Sequence, residues 1–377
     1  MTLAFVLAGG GTGGHVFPLL AVADALRQLD MRHKVTFVGT RRGLEAKAVP
    51  EQGYDIEFLD IRPIRGLGLL GGLKGVAKAV SSMPDSVRLI RRVKPNVVLS
   101  VGGYAAGPVT LAAWALGIPT ALLEPNSEMG LSNRALVALV DRAYTAFEPV
   151  ERHFGPNRVL RAGVPLRRGF VPTPWVEHDG PLHLLVLGGS QGASSLNEMI
   201  PELRRNIAIP VEIRHQCGRA HLDRVRELYS GQSPEGLRLE PFIDDMPAAL
   251  AWADIVISRS GASAIGEICA VGRASLLVPF PFAAGDHQAK NAREVANADA
   301  GIYLDPKRVN AEQIRDQIQA LAQEKGRLAR MSRAAQLLGR ADAAMTIASD
   351  MIALAKSRTS RIGRHSSTGP NGSQVGS

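Results

Sequence analysis

Short apolar runs alternate with segments whose apolar residues recur at helical spacing along most of the chain. This alternation predicts an α/β fold with two Rossmann-like, doubly wound parallel-sheet domains facing each other across a cleft. In the first half we predict strands at 3–8, 34–39, 56–60, 97–101, 119–123 and 142–146. The second half begins again at 183–199 with a strand, a glycine loop and a helix start, followed by strands near 211–215, 237–241, 254–258, 274–279 and 301–304.

The domain boundaries follow from stretches that lack this periodicity. Residues 162–175 (AGVPLRRGFVPTPW) are rich in Pro and Gly, which predicts a linker. We therefore expect an N-terminal domain over 1–162 and a second domain over 163–339, followed by a helix at about 340–356. Residues 357–377 are rich in Ser and Gly and nearly devoid of apolar side chains, which predicts a disordered basic tail.

The first predicted strand runs directly into AGGGTGGH (8–15), and PLLAVADALRQL (18–29) follows at helical spacing. Unpaired N–H groups and the helix dipole point at such a loop, so the segment predicts an anion site. Pro18 is expected in the first helical turn. The loop also matches GxGxxG, which alone is weak evidence for dinucleotide binding, and a tight turn without a ligand is the alternative.

An NADP-dependent reductase is one functional hypothesis. Dinucleotide folds of the NAD type place an acidic residue at the end of the second strand to hold the ribose. Here KVTFVG (34–39) is followed by Thr40, Arg41 and Arg42, which disfavours NAD but leaves NADP open because arginine can bind a 2′-phosphate. This hypothesis explains neither the second glycine loop nor the histidine that follows the first.

Group transfer from a nucleotide diphosphate sugar is the second hypothesis. RSGASAIGE (259–267) follows a strand and opens a helix whose N-terminal amides could neutralise a leaving diphosphate. Glu267, one turn further, is placed to accept hydrogen bonds from ribose hydroxyls. The next helix start, GDHQAKNA (285–292), offers side chains suited to sugar hydroxyls, namely Asp286, His287, Gln288 and Asn291. No DxD-like acidic pair stands where a metal–diphosphate bridge would need one, so we expect neither metal nor cofactor.

Cysteine and hydropathy patterns restrict the class of protein. Cys217 and Cys269 lie far apart without a CxxC or Cys/His cluster, which predicts reduced thiols and argues against a disulfide framework or zinc site. The N-terminus lacks the basic region of a signal peptide. Residues 97–123 carry no charge, but glycines and prolines divide them, so a buried βαβ unit is expected instead of a membrane span.

The positive charge is concentrated in one segment. The chain carries a net charge of +9, and residues 61–94 hold eight basic residues and one acid. Leucine and valine residues interleave with these bases, a pattern that suits an anionic membrane surface. Nucleic acid is disfavoured because the segment contains no aromatic residue for base stacking. A solvated basic helix is the alternative.

Several motifs together resemble the MurG family of glycosyltransferases, which belongs to family 28, over about residues 3–350. They are GGTGGH (10–15), SVGGYAAGP (100–108), EPNSEMGLSN (124–133), GVPLR (163–167), GGSQGA (188–193), FIDDM (242–246), RSGASAIGE (259–267) and VPFPFAAGDHQAKNA (278–292). The resemblance implies a GT-B fold and transfer of N-acetylglucosamine from UDP-N-acetylglucosamine to lipid I, giving lipid II in peptidoglycan synthesis. It implies a peripheral enzyme on the cytoplasmic face of the inner membrane, with cell-wall or division proteins as possible partners.

The resemblance also implies that the helix at about 340–356 completes the N-terminal domain. It implies acceptor and membrane binding in the N-terminal domain, donor binding in the C-terminal domain, and a set of site residues. The donor would be bound by Thr12, Gly13, Gly14, Asn126, Arg167, Ser190, Gln191, Ile243, Ala262, Ser263, Ala264, Ile265, Gly266, Glu267 and Gln288. Two departures from the family pattern are Leu123, where a histidine is usual, and Val164, where the family usually has asparagine.

The expected mechanism is a single displacement with inversion, in which the sugar 4-hydroxyl of the acceptor attacks the anomeric carbon as UDP leaves. A base with a pKa near neutrality suits this step, so His15 is the first candidate. Donation of a hydrogen bond from His15 to phosphate is the alternative. Glu124 is the second candidate and Glu128 a lesser one.

Overall fold

The computed structural model describes residues 2–60, 82–103, 105–189, 192–324 and 326–365. Its strands form two separate parallel sheets, which confirms the predicted α/β architecture. The first sheet contains β1 (Ala4–Ala8), β2 (Lys34–Gly39), β3 (Asp55–Phe58), β4 (Val97–Ser100), β5 (Thr120–Glu124), β6 (Arg142–Thr145) and β7 (Val159–Arg161). The second contains β8 (Leu182–Leu187), β9 (Val211–Gln216), β10 (Leu237–Glu240), β11 (Ile255–Ser258), β12 (Ala274–Leu277) and β13 (Gly301–Tyr303).

Helices connect the strands and cover the sheets, as parallel pairing requires. Those before the second sheet are α1 (Gly13–Leu29), α2 (Glu45–Glu51), α3 (Met83–Val93), α4 (Ala106–Ala115) and α5 (Leu131–Leu136). Those after its first strand are α6 (Ser194–Asn206), α7 (Leu222–Leu228), α8 (Met246–Trp252), α9 (Ala262–Val271), α10 (His287–Asn297), α11 (Ala311–Gln323), α12 (Arg327–Leu338) and α13 (Ala343–His365).

The strand order places a switch point in each sheet. The orders are β3-β2-β1-β4-β5-β6-β7 and β10-β9-β8-β11-β12-β13. The direction of the strand order therefore reverses between β1 and β4 in the first sheet and between β8 and β11 in the second. Ligands of open parallel sheets bind beyond the carboxyl ends of the strands at such points. The glycine loops after β1 and β8 stand there.

Helix α13 packs on the first domain although it follows the second in the chain. Ile347, Ala348 and Met351 are fully buried in one hydrophobic cluster with Leu26 of α1. The helix continues to His365. The disordered tail expected over 357–377 stays a prediction.

The Pro- and Gly-rich segment between the sheets is fastened to the second domain. The buried guanidinium of Arg273 donates to the carbonyl oxygen of Thr173 at 2.6 Å, and Trp175 Nε1 donates to Asp254 at 2.6 Å. Phe170 is buried in a cluster with residues of α8 and α9. The segment is thus held on the second domain by side-chain contacts and not by helices or strands.

Helix α3 is the described part of the basic segment. Its Leu89 and Ile90 are buried, while Arg88 and Arg92 are exposed and pair with Asp85 and Glu57 at 2.9 and 2.8 Å. The remainder, 61–81, lies outside the described residues. Among the helices that the structure describes, none combines the length and the apolar character needed to cross a bilayer.

Candidate functional site

The loops that follow β1 and β4 meet at the switch point of the first sheet. A Cβ atom added to Gly9 would overlap the side chain of Val101, and one added to Gly103 would lie 3.0 Å from the carbonyl oxygen of Gly10. Gly11 and Gly103 adopt φ angles of +93° and +86°, a region that favours glycine. The glycines therefore allow the two loops to pack backbone against backbone.

Helix α1 begins inside the glycine motif, at Gly13, with extended Thr12 as its N-cap residue. The first N–H groups of a helix lack intrahelical acceptors, and the first turn of α1 contains no acidic residue. The predicted site residues Thr12, Gly13 and Gly14 thus stand where an anion would be favoured. The expectation that Pro18 lies in the first turn was wrong, because the helix starts earlier than its apolar periodicity does and Pro18 falls inside it.

His15 lies in this first turn and is half-buried. Its Nδ1 atom is 3.1 Å from the carbonyl oxygen of Gly10. A carbonyl only accepts, so Nδ1 carries the proton and the neutral ring keeps its lone pair on Nε2. Burial and the charge of His287 lower the pKa of His15, opposed by the Gly10 hydrogen bond and the charge of Glu45. The imidazole is therefore neutral near pH 7, the form that a general base needs.

Glu45 of α2 lies beneath the glycine loop and is a residue that sequence reasoning missed. Its carboxylate, 1% exposed, accepts from the N–H of Gly11 at 2.8 Å, the N–H of Thr40 at 2.8 Å and the Thr40 hydroxyl at 2.9 Å. A Cβ atom on either glycine of GTRRGLE (39–45) would overlap this side chain. Gly39 and Gly43 are a local signal that a side chain packs closely there, but they do not indicate its contact with the glycine loop.

Glu124, the second candidate base, is 2% exposed at the end of β5. It accepts from the backbone N–H of Asn126 at 3.1 Å and from the side-chain amides of Asn126 and Asn133 at 3.2 and 2.9 Å. The N–H of Gly130 adds a fourth contact at 3.4 Å. Burial raises the pKa of Glu124, and these bonds oppose the increase. In this position the carboxylate organises the loop 124–130, and its catalytic role stays a prediction.

Glu128, the lesser candidate base, lies on the same loop. Its carboxylate pairs with Lys290 of α10 at 3.1 Å and with Arg134 at 3.2 Å. The hydrogen bond from Lys290 lowers the pKa of Glu128. A carboxylate stabilised in its ionised form by two cations is a weak base, so the geometry disfavours this role.

The same loop is hydrogen-bonded to the second domain through Asn291 of α10, which is fully buried. Asn291 Oδ1 accepts from the N–H and hydroxyl of Ser127 at 2.8 and 2.9 Å. Its Nδ2 donates to Asn126 Oδ1 at 3.1 Å and to the Ser260 carbonyl at 3.3 Å. The expectation that Asn291 binds sugar hydroxyls is corrected by this packing. Both polar atoms of its side chain are already hydrogen-bonded to residues of the first domain.

The loop after β8 is held from β9 by Gln216. The amide of Gln216 donates to the carbonyl of Gly189 at 2.9 Å and accepts from the N–H of Ile243 at 3.2 Å. Ile243 is buried, and its predicted contact with the donor stays a prediction. The predicted residues Ser190 and Gln191 lie outside the described residues.

Helix α9 opens at the switch point of the second sheet, again without an acid in its first turn. The Ser263 hydroxyl is buried and has no hydrogen-bond partner among the described residues. Burial raises the pKa of Glu267 to about 7, opposed by the positive charge of Arg167. Arg167 itself is exposed and stands 5.7 Å from the ring of Phe170.

The other predicted residues of α9 face inward. Ala262 and Ile265 are buried in hydrophobic clusters. A Cβ atom on Gly266 would lie 3.0 Å from Val164 of the linker, and Ala264 is half-buried. Any contact of these residues with a donor would therefore have to be made largely through the backbone.

Gln288, in the first turn of α10, accepts from the N–H of Phe280 through its side-chain oxygen at 2.9 Å. The backbone carbonyl of Gln288 accepts from the Ser260 hydroxyl at 2.8 Å. These bonds fix the loop before α10 against the end of β11. The predicted contact of Gln288 with N-acetylglucosamine stays a prediction.

One group of side chains in the described part of the chain has the spacing of metal ligands. His178, His183 and Asp254 offer atoms within 4.8 Å of one another. They lie at the amino ends of β8 and β11, at the sheet edge opposite the glycine loops. Asp254 already accepts from Trp175, His178 and the N–H of His183, so the group is satisfied without an ion.

Comparison with known proteins assigns both halves of the chain to one family. The model of the glycosyltransferase family 28 N-terminal domain matches residues 5–145, and that of the family 28 C-terminal domain matches 183–347. Together the two matched segments cover most of the chain and both glycine loops.

Two relatives that match over nearly their full length carry the same name. A Sorangium cellulosum (strain So ce56) protein named UDP-N-acetylglucosamine–N-acetylmuramyl-(pentapeptide) pyrophosphoryl-undecaprenol N-acetylglucosamine transferase is 45% identical over 377 residues, covering 98% of this chain and 93% of that protein. A protein of the same name from Acidithiobacillus ferrooxidans is 41% identical and covers 93% and 98%. The crystal structure of MurG from Acinetobacter baumannii superimposes with a TM-score of 0.77 at 30% identity, covering 93% of this chain and 99% of that one.

Proposed function

The chain belongs to glycosyltransferase family 28, and from this premise we propose that it transfers N-acetylglucosamine from UDP-N-acetylglucosamine to the 4-hydroxyl of the muramyl sugar of lipid I, forming lipid II. The observation that carries the proposal is the 45% identity to a protein named for this donor and acceptor, over nearly the full length of both chains. The NADP-dependent reductase is set aside, because the full-length relatives named above are transferases.

The structure supports the proposal through the placement of two helix N-termini at the switch points. The first N–H groups of α1 and α9 lack intrahelical acceptors, and the first turn of neither helix contains an acidic residue. Beside them, the buried Ser263 hydroxyl lacks a protein partner among the described residues. We assign α9 and Ser263 to the diphosphate of the donor, whose developing negative charge main-chain amides can stabilise without a cation.

His15 is the general base of the proposed reaction. Burial lowers its pKa, and the Gly10 carbonyl fixes the proton on Nδ1. Nε2 can then accept the proton of the attacking 4-hydroxyl as the bond to the anomeric carbon forms and the bond to UDP breaks. Substitution of such a base typically lowers turnover by 10²–10⁴-fold.

The membrane is the proposed location of this reaction, because lipid I is a lipid-linked acceptor. Residues 61–94 carry eight bases and one acid with interleaved leucines and valines, a composition that suits anionic headgroups. We propose peripheral binding at the cytoplasmic face of the inner membrane through this segment. Contacts with cell-wall or division proteins stay a prediction.

A transfer assay tests the proposed function. The protein is incubated with radiolabelled UDP-N-acetylglucosamine and a lipid I analogue, beside a separate measurement of NADPH oxidation. We expect label to enter the lipid phase and NADPH to remain unchanged. Oxidation of NADPH without transfer of label would refute the proposal and restore the reductase.

A further inference from the structure

Glu45 and His15 are bound to opposite ends of one peptide group. The N–H of Gly11 donates to Glu45 Oε2 at 2.8 Å. The carbonyl oxygen of the same peptide group, that of Gly10, accepts from His15 Nδ1 at 3.1 Å. We propose that Glu45 is a positioning residue for His15, acting through the Gly10–Gly11 peptide group to keep Nε2 as the proton acceptor.

The physical basis is polarisation of an amide between two hydrogen bonds. A carboxylate that accepts an amide N–H draws the proton toward itself and leaves more negative charge on the carbonyl oxygen. That oxygen then binds the Nδ1–H of an imidazole more strongly, since hydrogen bonds in a chain reinforce each other. The Nδ1–H tautomer is stabilised, and so is the imidazolium that forms when Nε2 takes up a proton.

The surroundings of Glu45 show a built site. Cβ atoms on Gly10, Gly39 or Gly43 would each overlap its side chain, so three glycines leave room for it. The N–H and hydroxyl of Thr40 hold Oε1 at 2.8 and 2.9 Å, which leaves Oε2 directed at Gly11. No ion pair to Glu45 is found within the described residues, so its charge faces amide and hydroxyl donors.

Burial, the hydrogen bond to Gly10, the charge of His287 and the charge of Glu45 all act on the pKa of His15. Glu45 in α2 raises the pKa of His15, whereas burial and the charge of His287 in α10 lower it. Removing the carboxylate charge therefore lowers the pKa of His15 further and makes it a weaker base. The effect on catalysis rests on the proposed function, but the effect on the imidazole does not.

The test is NMR of histidine ring nitrogens combined with kinetics. Glu45→Gln keeps the shape of the side chain and removes its charge. We expect wild-type His15 to carry its proton on Nδ1 at pH 7.5. In Glu45→Gln we expect a lower pKa of His15, because the negative charge that raises it is gone, and a mixture of tautomers. We also expect kcat to fall about tenfold while KM for UDP-N-acetylglucosamine changes less than twofold.

Thr40→Val is the matched control, because it removes one donor to Glu45 and keeps the charge. It should leave the His15 tautomer as in the wild type. A wild-type His15 protonated mainly on Nε2 would overturn the proposal without any substitution, and so would an unchanged His15 pKa in folded Glu45→Gln. Absence of transfer by the wild-type protein would refute the proposed function and leave the NMR result standing.

Discussion

Substitution of Glu267 by glutamine should stabilise the protein in a manner that depends on pH. Burial raises the pKa of this carboxyl from 4.5 to about 7, with Arg167 opposing the increase. A folded-state pKa above the unfolded value means that ionisation at high pH opposes folding. The native state is therefore favoured by a protonated Glu267 at low pH, and this contribution is lost as pH rises from about 4.5 through 7.

The magnitude follows from the displacement of the pKa. A change from 4.5 to about 7 corresponds to about 3 kcal/mol between the two protonation states. Part of this free energy already opposes folding at pH 5, and solvent that reaches the side chain reduces the effect. We therefore expect the stability gained through Glu267→Gln to increase by about 2 kcal/mol between pH 5 and pH 8. The same substitution should weaken UDP binding if Glu267 accepts from ribose hydroxyls.

Urea unfolding at pH 5 and pH 8 measures this directly, with UDP affinity determined on the same samples. Glu198→Gln is the control, since Glu198 is an exposed carboxylate on α6 of the same domain. Substitutions at exposed positions usually change stability by less than about 0.5 kcal/mol, so Glu198→Gln should have little effect at either pH. If the stability difference between Glu267→Gln and the wild type did not change with pH, the raised pKa assigned to Glu267 would be refuted.

Three further predictions concern other parts of the molecule. His15→Ala should lower kcat by ~10²–10⁴ while UDP binding, measured by calorimetry, survives, and turnover at the wild-type rate would remove the base assignment. Asn291→Asp should lower the free energy of unfolding by about 2 kcal/mol, because the donations to Asn126 and Ser260 are lost. Asn297 is exposed on the same helix, so Asn297→Asp should leave the free energy of unfolding unchanged. Equal losses of stability for the two substitutions would contradict the interdomain role of Asn291. In vesicle flotation, replacing the arginines and lysines of 61–81 by glutamine should weaken binding of the protein to anionic vesicles. Added salt should weaken the binding of the wild-type protein. Equal binding to neutral vesicles would exclude the electrostatic part.

Much of the fold could be predicted because the parallel strands are buried on both faces and read as apolar runs. The predicted strands are present with ends shifted by no more than two residues. Strand β7 (Val159–Arg161) was missed, because three residues at a sheet edge that end in an exposed arginine carry no periodic signal. The start of α1 was also misplaced, since glycines form its first turn and glycine favours no helix by itself.

The candidate site could be predicted only for residues whose position follows from their own stretch of sequence. The glycine loops and His15 follow directly from a strand that runs into a helix. Glu45 could not be found this way, because its partner Gly11 lies on another strand–helix connection and only sheet pairing of β1 with β2 brings them together. Asn291 was assigned to the ligand for the same reason, since its contacts with Ser127 come from the other domain.

We propose that main-chain amides at the two switch points hold the diphosphate of the donor without a cation. A crystal structure of the protein soaked with UDP in the presence of EDTA tests it most directly. We predict the diphosphate within hydrogen-bond distance of the Ser263 hydroxyl and the first N–H groups of α9. A nucleotide bound elsewhere, or bound only when a divalent ion bridges its phosphates to the protein, would contradict the account.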